Sequence, residues 1–327
     1  VMDRIAETLT ESSNSWTAMD MAAYSQLDGK ILQTDKKAKE NVINLMITEA
    51  SGTKTSPGDR SRIEIVLRAL GADTNKLYTA NSMKKFSNAE LLQKMDLSGI
   101  DYFTVPYVLL ADMQGNVNLT DIQKNQLIKV LKDNIRDGLF GYSFGGIEYS
   151  DPDTAGIVLA ALAPYYGENV EAKWIVDKIK QALPKALNEK GSFGNANSDA
   201  MVITGIAALG ENPFDLKNNN GISIVEGLMC YVNKDGNGFL YNGKPNDLAT
   251  EQGFRALVSL NGYLESGQSY NIYDFSKTPV KETHATGTGT SDIPEEPTNP
   301  EEITVYVSVK TNTETWIDNR KITVKSD

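Results

Sequence analysis

Two carboxylates stand one residue apart in Asp151-Pro152-Asp153-Thr154, directly before the apolar run at residues 155–162. Such a pair suits two jobs. One carboxyl can hold a proton while its neighbour stays ionised, which is the condition for general acid chemistry. An Asp just before a helix can instead accept hydrogen bonds from the first backbone N–H groups, with Pro152 in the first turn. The other acidic residues lie mostly on amphipathic segments, where a charged face is solvated. The sequence holds one cysteine, Cys230, and one histidine, His284. A single cysteine excludes an internal disulfide and a paired-cysteine zinc site. A single histidine excludes Ser-His-Asp and Cys-His catalysis unless His284 serves, and its Thr/Gly-rich surroundings argue against that. Cys230, between Met229 and Tyr231 within an apolar segment, reads as a small buried group.

Two glycine-containing segments invite metal or phosphate readings. Asn233-Lys-Asp-Gly-Asn-Gly238 carries oxygen donors at alternate positions, as the first half of a calcium loop does. Position twelve is Lys244, however, where such a loop requires a bidentate Glu, so the segment reads as a turn. Gly141-Tyr-Ser-Phe-Gly-Gly146 lacks the Lys-Ser/Thr of a phosphate loop and precedes no clear strand. It also reads as a turn.

Something must position these residues, and the chain of 327 residues is long enough to bury a large core. Its 40% hydrophobic and 23% charged content excludes wholesale disorder. Mean hydropathy is −0.35 and no apolar run approaches the length of a membrane-crossing helix. The net charge of −11 makes nucleic acid and anionic membranes poor partners. Residues 1–10 contain neither the basic nor the apolar stretch of an export signal, so a cytosolic chain and a processed, exported one both fit.

The strongest internal signal is a repeat. Apolar helical segments recur at residues 16–24, 62–70, 103–111, 154–162, 200–209 and 250–258, spaced about 45 residues apart. Helices apolar on most faces are buried between other helices. Amphipathic segments alternate with them at residues 2–10, 35–50, 88–96, 120–136, 169–188 and 221–232. Six inner and six outer helices predict an all-α fold, an α6/α6 toroid over residues 1–276, rather than an open solenoid with polar capping repeats. Residues 277–302 are rich in Thr, Pro, Gly and acidic side chains and read as a linker. Residues 303–309 and 321–325 alternate with period two. Residues 303–327 therefore read as a short C-terminal β segment, the first strands of a truncated β-domain.

On these residues the chain resembles a known group. The run from Ser150 to Leu162 resembles the repeated Asp-x-Asp-Thr helix start of the squalene cyclase and protein prenyltransferase-like toroids, which include the α-domain of transcobalamin and intrinsic factor. The turns Gly191-Ser-Phe193-Gly194 and Asp235-Gly-Asn-Gly-Phe239 look like the turns between its repeats. Asn246–Gln252 resembles the start of its last inner helix, and the strand from Ile303 looks like the opening of the transcobalamin-like β-domain. The group contains both enzymes and binders, so the residues must decide. Its cyclases use Asp-x-Asp-Asp, and here Thr154 occupies the last position without a carboxyl. Its prenyltransferases hold zinc with Asp, Cys and His, for which Cys230 and His284 are wrongly spaced.

What remains is a binding mouth. A toroid of this kind gathers inner-helix N-termini and their preceding turns around one opening, with amides and positive dipole ends suited to polar ligand groups. The candidate ligand residues there are Trp16, Asp20, Arg62, Tyr102, Tyr142, Phe144, Asp153, Asp199, Phe239, Tyr241 and Glu251. The reading is a non-catalytic, monomeric binding or interaction module with a small-molecule or surface partner. The resemblance implies an extracellular or cell-wall location and cobalamin as a ligand, with no cofactor required. A prenyltransferase- or cyclase-like enzyme using Asp153 as acid is the alternative, and a structural adhesion or spacer domain is the third.

Overall fold

The computed structural model describes residues 1–80, 84–286, 302–310 and 315–325; the side chains of Phe144, Ile147, Glu148 and residues 302–325 lie outside that description. Helices dominate, with twelve α-helices among the described residues. In chain order they begin with α1 (Met2–Leu9), α2 (Ser15–Tyr24), α3 (Lys36–Ala50), α4 (Pro57–Ala69), α5 (Asn88–Gln93) and α6 (Val105–Met113). The second half contributes α7 (Asp121–Asn134), α8 (Pro152–Leu162), α9 (Val170–Ala186), α10 (Ala196–Ala208), α11 (Ile224–Met229) and α12 (Asp247–Ser266).

The helices alternate in character as the periodicity predicts. Every residue of α10 is buried, and so is α8 from Thr154 to Leu162. In α9 the buried residues are Ala172, Ile175, Val176, Ile179 and Leu183, one stripe at helical spacing. Starts are set by capping side chains: Asn14 accepts from the N–H groups of Trp16 and Thr17, and Asn246 from that of Ala249. Thr120 and Gln123 make a reciprocal capping box on α7.

The even-numbered helices pack in sequence, α2 on α4, α4 on α6, α6 on α8, α8 on α10 and α10 on α12, and α12 packs on α2. The odd-numbered helices lie against them, α3 on α4, α7 on α6, α9 on α8, α11 on α10 and α1 on α12. The closest approach joins α8 and α10 through glycine. A Cβ at Gly156 would fall on the backbone of Met201, and one at Gly205 on the carbonyl of Gly156.

The segment after α12 fastens the C-terminal ends of α4, α6, α8 and α10. The Tyr270 N–H donates to the Ala207 carbonyl of α10 at 3.0 Å, and Asn271 Nδ2 to the Ala160 carbonyl of α8 at 2.9 Å. Gln114, just past α6, donates to the Tyr273 carbonyl and accepts from the Phe275 N–H. Arg68 of α4 donates to the carbonyls of Phe275 and Ser276. Backbone carbonyls of α8 and α10 and the polar side chains of Gln114 and Arg68 are thus all bonded by one strap of chain.

Short strands fill the connections: β1 (Ala72–Tyr78), β2 (Phe140–Phe144), β3 (Ile147–Asp151), β4 (Leu240–Tyr241), β5 (Lys244–Pro245) and β6 (Lys281–His284). β2 and β3 form an antiparallel hairpin, Tyr142 opposite Tyr149, turned by Gly145 and Gly146 at positive φ. This differs from the expected plain turn. Within the span read as a linker, β6 pairs in parallel with β1 and the Thr286 N–H donates to Asn44 Oδ1 at 2.7 Å. Backbone pairing at an open strand edge needs no apolar side chains, so composition does not reveal it. The ring of His284 stacks on Tyr78 at 4.2 Å. One compact unit runs Val1–Gly287 and a second Thr288–Asp327. In the second, β7 (Glu302–Lys310) and β8 (Thr315–Lys325) pair antiparallel with Ile303 opposite Val324. The expected linker residues 287–301 lie outside the described residues.

Candidate functional site

The N-terminal ends of α8, α10 and α12 border one hollow of about 440 Å³. Each is prepared by a cap: Asp151 Oδ1 accepts from the Thr154 N–H at 3.1 Å, Asn195 Oδ1 from Ser198 and Asn246 Oδ1 from Ala249, both at 2.9 Å. Asp153 on α8 accepts from the Ser198 hydroxyl on α10. Asn197 on α10 donates through Nδ2 to Gln252 Oε1 on α12 at 2.8 Å. The β2–β3 and β4–β5 hairpins bring Tyr142 and Tyr241 to the same lining, each nearly half exposed. Of the paired carboxylates, Asp151 caps and Asp153 bridges two helices.

A second hollow of about 690 Å³ shares Asn246 and Leu248 with the first and reaches Asn14, Thr17 and Glu251. Among the described residues neither lining contains a Lys, Arg or His, while Asp151, Asp153, Asp247 and Glu251 contribute carboxylates. Burial raises the Asp153 carboxyl above its ordinary value, the Ser198 hydroxyl pulls it down and nearby Asp151 raises it further. Beside it on α10, Asp199 is fully buried and accepts from the Phe193 N–H at 2.7 Å. Among the described residues its Oδ2 has no hydrogen-bond partner, and burial pushes this carboxyl up to about 7 while the Phe193 N–H and the Ser192 side chain pull it down.

Below the second hollow lies a charged cluster. Arg255 of α12 binds Asp20 of α2 through Nε at 2.8 Å and Nη2 at 3.1 Å, and also bonds Glu251 one turn earlier. The Trp16 and Tyr273 rings lie 5.3 and 5.6 Å from the guanidinium carbon, and Tyr107 packs on Trp16. Burial drives the Asp20 carboxyl well above its ordinary range; Arg255 opposes the rise and Glu251 adds to it.

The eleven sequence candidates therefore fall into separate places. Tyr142, Asp153 and Tyr241 line the first hollow, and Glu251 the second. Trp16, Asp20 and Glu251 belong to the Arg255 cluster. Arg62 sits in the body of α4, bonded to Glu49 Oε1 at 2.5 Å and to Ser15. Tyr102 donates its hydroxyl to the Gly141 carbonyl at 2.9 Å and packs near Phe140. Phe239 is fully buried, its ring where a Cβ of Gly253 would lie. The Phe144 side chain lies outside the described residues. Cys230 differs from expectation: it caps the end of α11 and is exposed. The Asn233–Gly238 segment is a turn, with Asn233 Oδ1 accepting from the Asn237 N–H.

Asn195, Asn197, Gln252 and Arg255 were missed by the sequence reading. Glu251 and Arg255 at i, i+4 on an otherwise apolar helix were a legible signal. So was Gly145-Gly146 between alternating aromatic and apolar residues, the pattern of a two-residue hairpin. The amides carried no comparable mark.

Among the described residues, no group of three or more His, Cys, Asp and Glu side chains gathers as a metal site, and no helix is long and apolar enough to cross a membrane. No protein-family model and no curated protein matches the chain. A solved structure of a protein from Actinoplanes is similar to it at 10% identity and a TM-score of 0.43, over 81% of this chain and 98% of that one. A likeness that distant carries no argument about fold or function.

Proposed function

We propose that residues 1–287 form a closed α/α toroid that acts as a binding module, holding an uncharged polar ligand at the N-terminal ends of α8, α10 and α12. Support for closure comes from the packing of α12 on α2 and from the Asp20–Arg255 bond between them. The observation that carries the binding reading is the convergence of three helix starts on a hollow of amides, hydroxyls, two carboxylates and tyrosine rings, with no cation among its described lining residues. Such convergence of polar groups with aromatic surface suits ligand recognition. A prenyl diphosphate would find no positive side chain there, and the open polar surroundings of Asp153 do not suit carbocation chemistry. A corrinoid is the candidate the sequence resemblance supplies, since its rim of carboxamides can pair with Asn and Gln. The Thr/Pro-rich composition and the resemblance support an exported, surface-associated module working as a monomer.

Titration calorimetry tests the reading. We expect saturable binding of an uncharged ligand, cobalamin among those tried, that weakens on Gln252→Ala. Geranylgeranyl diphosphate with magnesium is expected to give no heat. Diphosphate binding lost on Asp153→Asn would reverse the conclusion in favour of the enzyme.

A further inference from the structure

We infer that the ligand of the hollow bordered by α8, α10 and α12 is a neutral oligosaccharide, an inference that rests on the binding reading above. A pyranose offers two kinds of surface: C–H faces that lie flat on aromatic rings, and a rim of hydroxyls that both donate and accept. The hollow offers the complement of each.

For the faces there are two tyrosines from two different hairpins. Tyr142 is 48% exposed and Tyr241 is 45% exposed, values far from those of core aromatics such as Phe239 at 0%. Tyr149 stacks on Tyr142 at 5.3 Å with the planes 16° apart, which fixes that ring as a platform. An exposed ring held in one orientation loses little entropy when a ligand covers it.

For the rim there are amides with one half already used. Asn197 is only 8% exposed and commits its Nδ2 to Gln252 Oε1. Asn197 Oδ1 and Gln252 Nε2 are left on neighbouring side chains without a protein partner among the described residues, an acceptor beside a donor. Asn246 likewise uses Oδ1 on the Ala249 N–H and keeps its Nδ2. Two neighbouring sugar hydroxyls answer an acceptor and a donor together.

The same arithmetic of donors rejects other ligand classes. A polyamine would be drawn to Asp151 and Asp153, but an ammonium only donates and leaves Gln252 Nε2 and Asn246 Nδ2 unanswered. Phosphate, sulfate and uronate groups would meet these carboxylates with no Lys, Arg or His among the described residues of either lining to offset them. Asp153 can accept from hydroxyls as a carboxylate does in any polar site. Length follows from the neighbouring hollow: about 440 and 690 Å³, both lined by Asn246 and Leu248, offer room for several sugar units rather than one.

The experiment is calorimetric titration of the full chain with neutral hexasaccharides of β-1,4-glucose, α-1,4-glucose, xylose, mannose and N-acetylglucosamine, with spermidine, cobalamin and hexagalacturonate as counter-probes. We expect at least one neutral hexasaccharide to bind, with affinity falling about tenfold or more in Tyr142→Ala and in Tyr241→Ala. Both side chains are exposed, so their melting midpoints should stay at the wild-type value. Trp174→Ala, on the outer helix α9, should leave binding unchanged. Spermidine or cobalamin bound through Tyr142 and Gln252, with every sugar silent, overturns the oligosaccharide and leaves the binding hollow standing. Silence from every probe, or binding indifferent to all of these residues, overturns both.

Discussion

Asp20 and Glu251 share one guanidinium, and Arg255 is itself 4% exposed. Removing the cation would leave two buried carboxylates without their shared partner. We therefore expect Arg255→Leu to cost about 3–5 kcal/mol in urea unfolding, and the Asp20→Asn/Arg255→Leu pair to cost clearly less than the two singles added. Strict additivity would mean that the bond contributes nothing to joining α2 and α12. A second buried acid gives a pH signature. Glu64 accepts from Thr74 at 2.6 Å and from Asn88 at 3.1 Å, and burial pushes it to about 7 against an ordinary 4.5. Between those values the folded chain keeps a proton that the unfolded chain has lost. Stability should fall as pH rises from 4.5 to 7 and then level off, by roughly 3 kcal/mol from this group. Glu64→Gln, whose amide can donate to Thr74 and accept from Asn88, should flatten that slope when unfolding midpoints are compared at pH 5 and pH 8. An unchanged slope would remove Glu64 as its source. At this scale the sequence was least informative. Asp153 and the tyrosines could be named because acids before helices and aromatics in turns stand out. Asn197 and Gln252 could not, because an amide acquires meaning only from the neighbour that uses half of it.

Helix α8 meets α10 at Gly156 and Gly205, and this contact sets the separation between Asp153 and Ser198 at their N-terminal ends. Alanine would improve intrinsic helix propensity by up to about 1 kcal/mol at either glycine. A new Cβ would press on backbone, which cannot swing aside, and overpacking of this kind costs about 1–3 kcal/mol or more. The second effect should win. Gly205→Ala is expected to lower the melting midpoint, and a rise would show that α8 and α10 are not in close contact. The helices themselves were legible, since a burial stripe such as that of α9 is written locally at 3–4 spacing. The hairpin of β2 and β3 was readable from Gly145-Gly146 but was passed over for a turn. Strand β6 was not readable, because its stability comes from the edge of β1 some two hundred residues earlier.

Across the molecule, the strap at residues 268–276 ties together helices that are far apart in sequence. A chain ending at Gly287 keeps it and should retain the helical content and melting midpoint of the first unit. A chain ending at Ser266 leaves carbonyls of α8 and α10 and the Arg68 side chain without these partners, and should melt at a clearly lower temperature by circular dichroism. Equal midpoints would make the strap dispensable. The alternation of buried and amphipathic helices could be read from the sequence as a whole, since repetition multiplies a weak local signal. The hollow could not, because it depends on where three helix starts meet. It is there that the account is most exposed. Side-chain amide resonances of Asn195, Asn197, Asn246 and Gln252 should shift in ¹H–¹⁵N spectra when the binding hexasaccharide is titrated, with those of Gln181, on α9 with Trp174, unmoved. Shifts centred on the Trp174 face, or none at the four amides, would contradict the account.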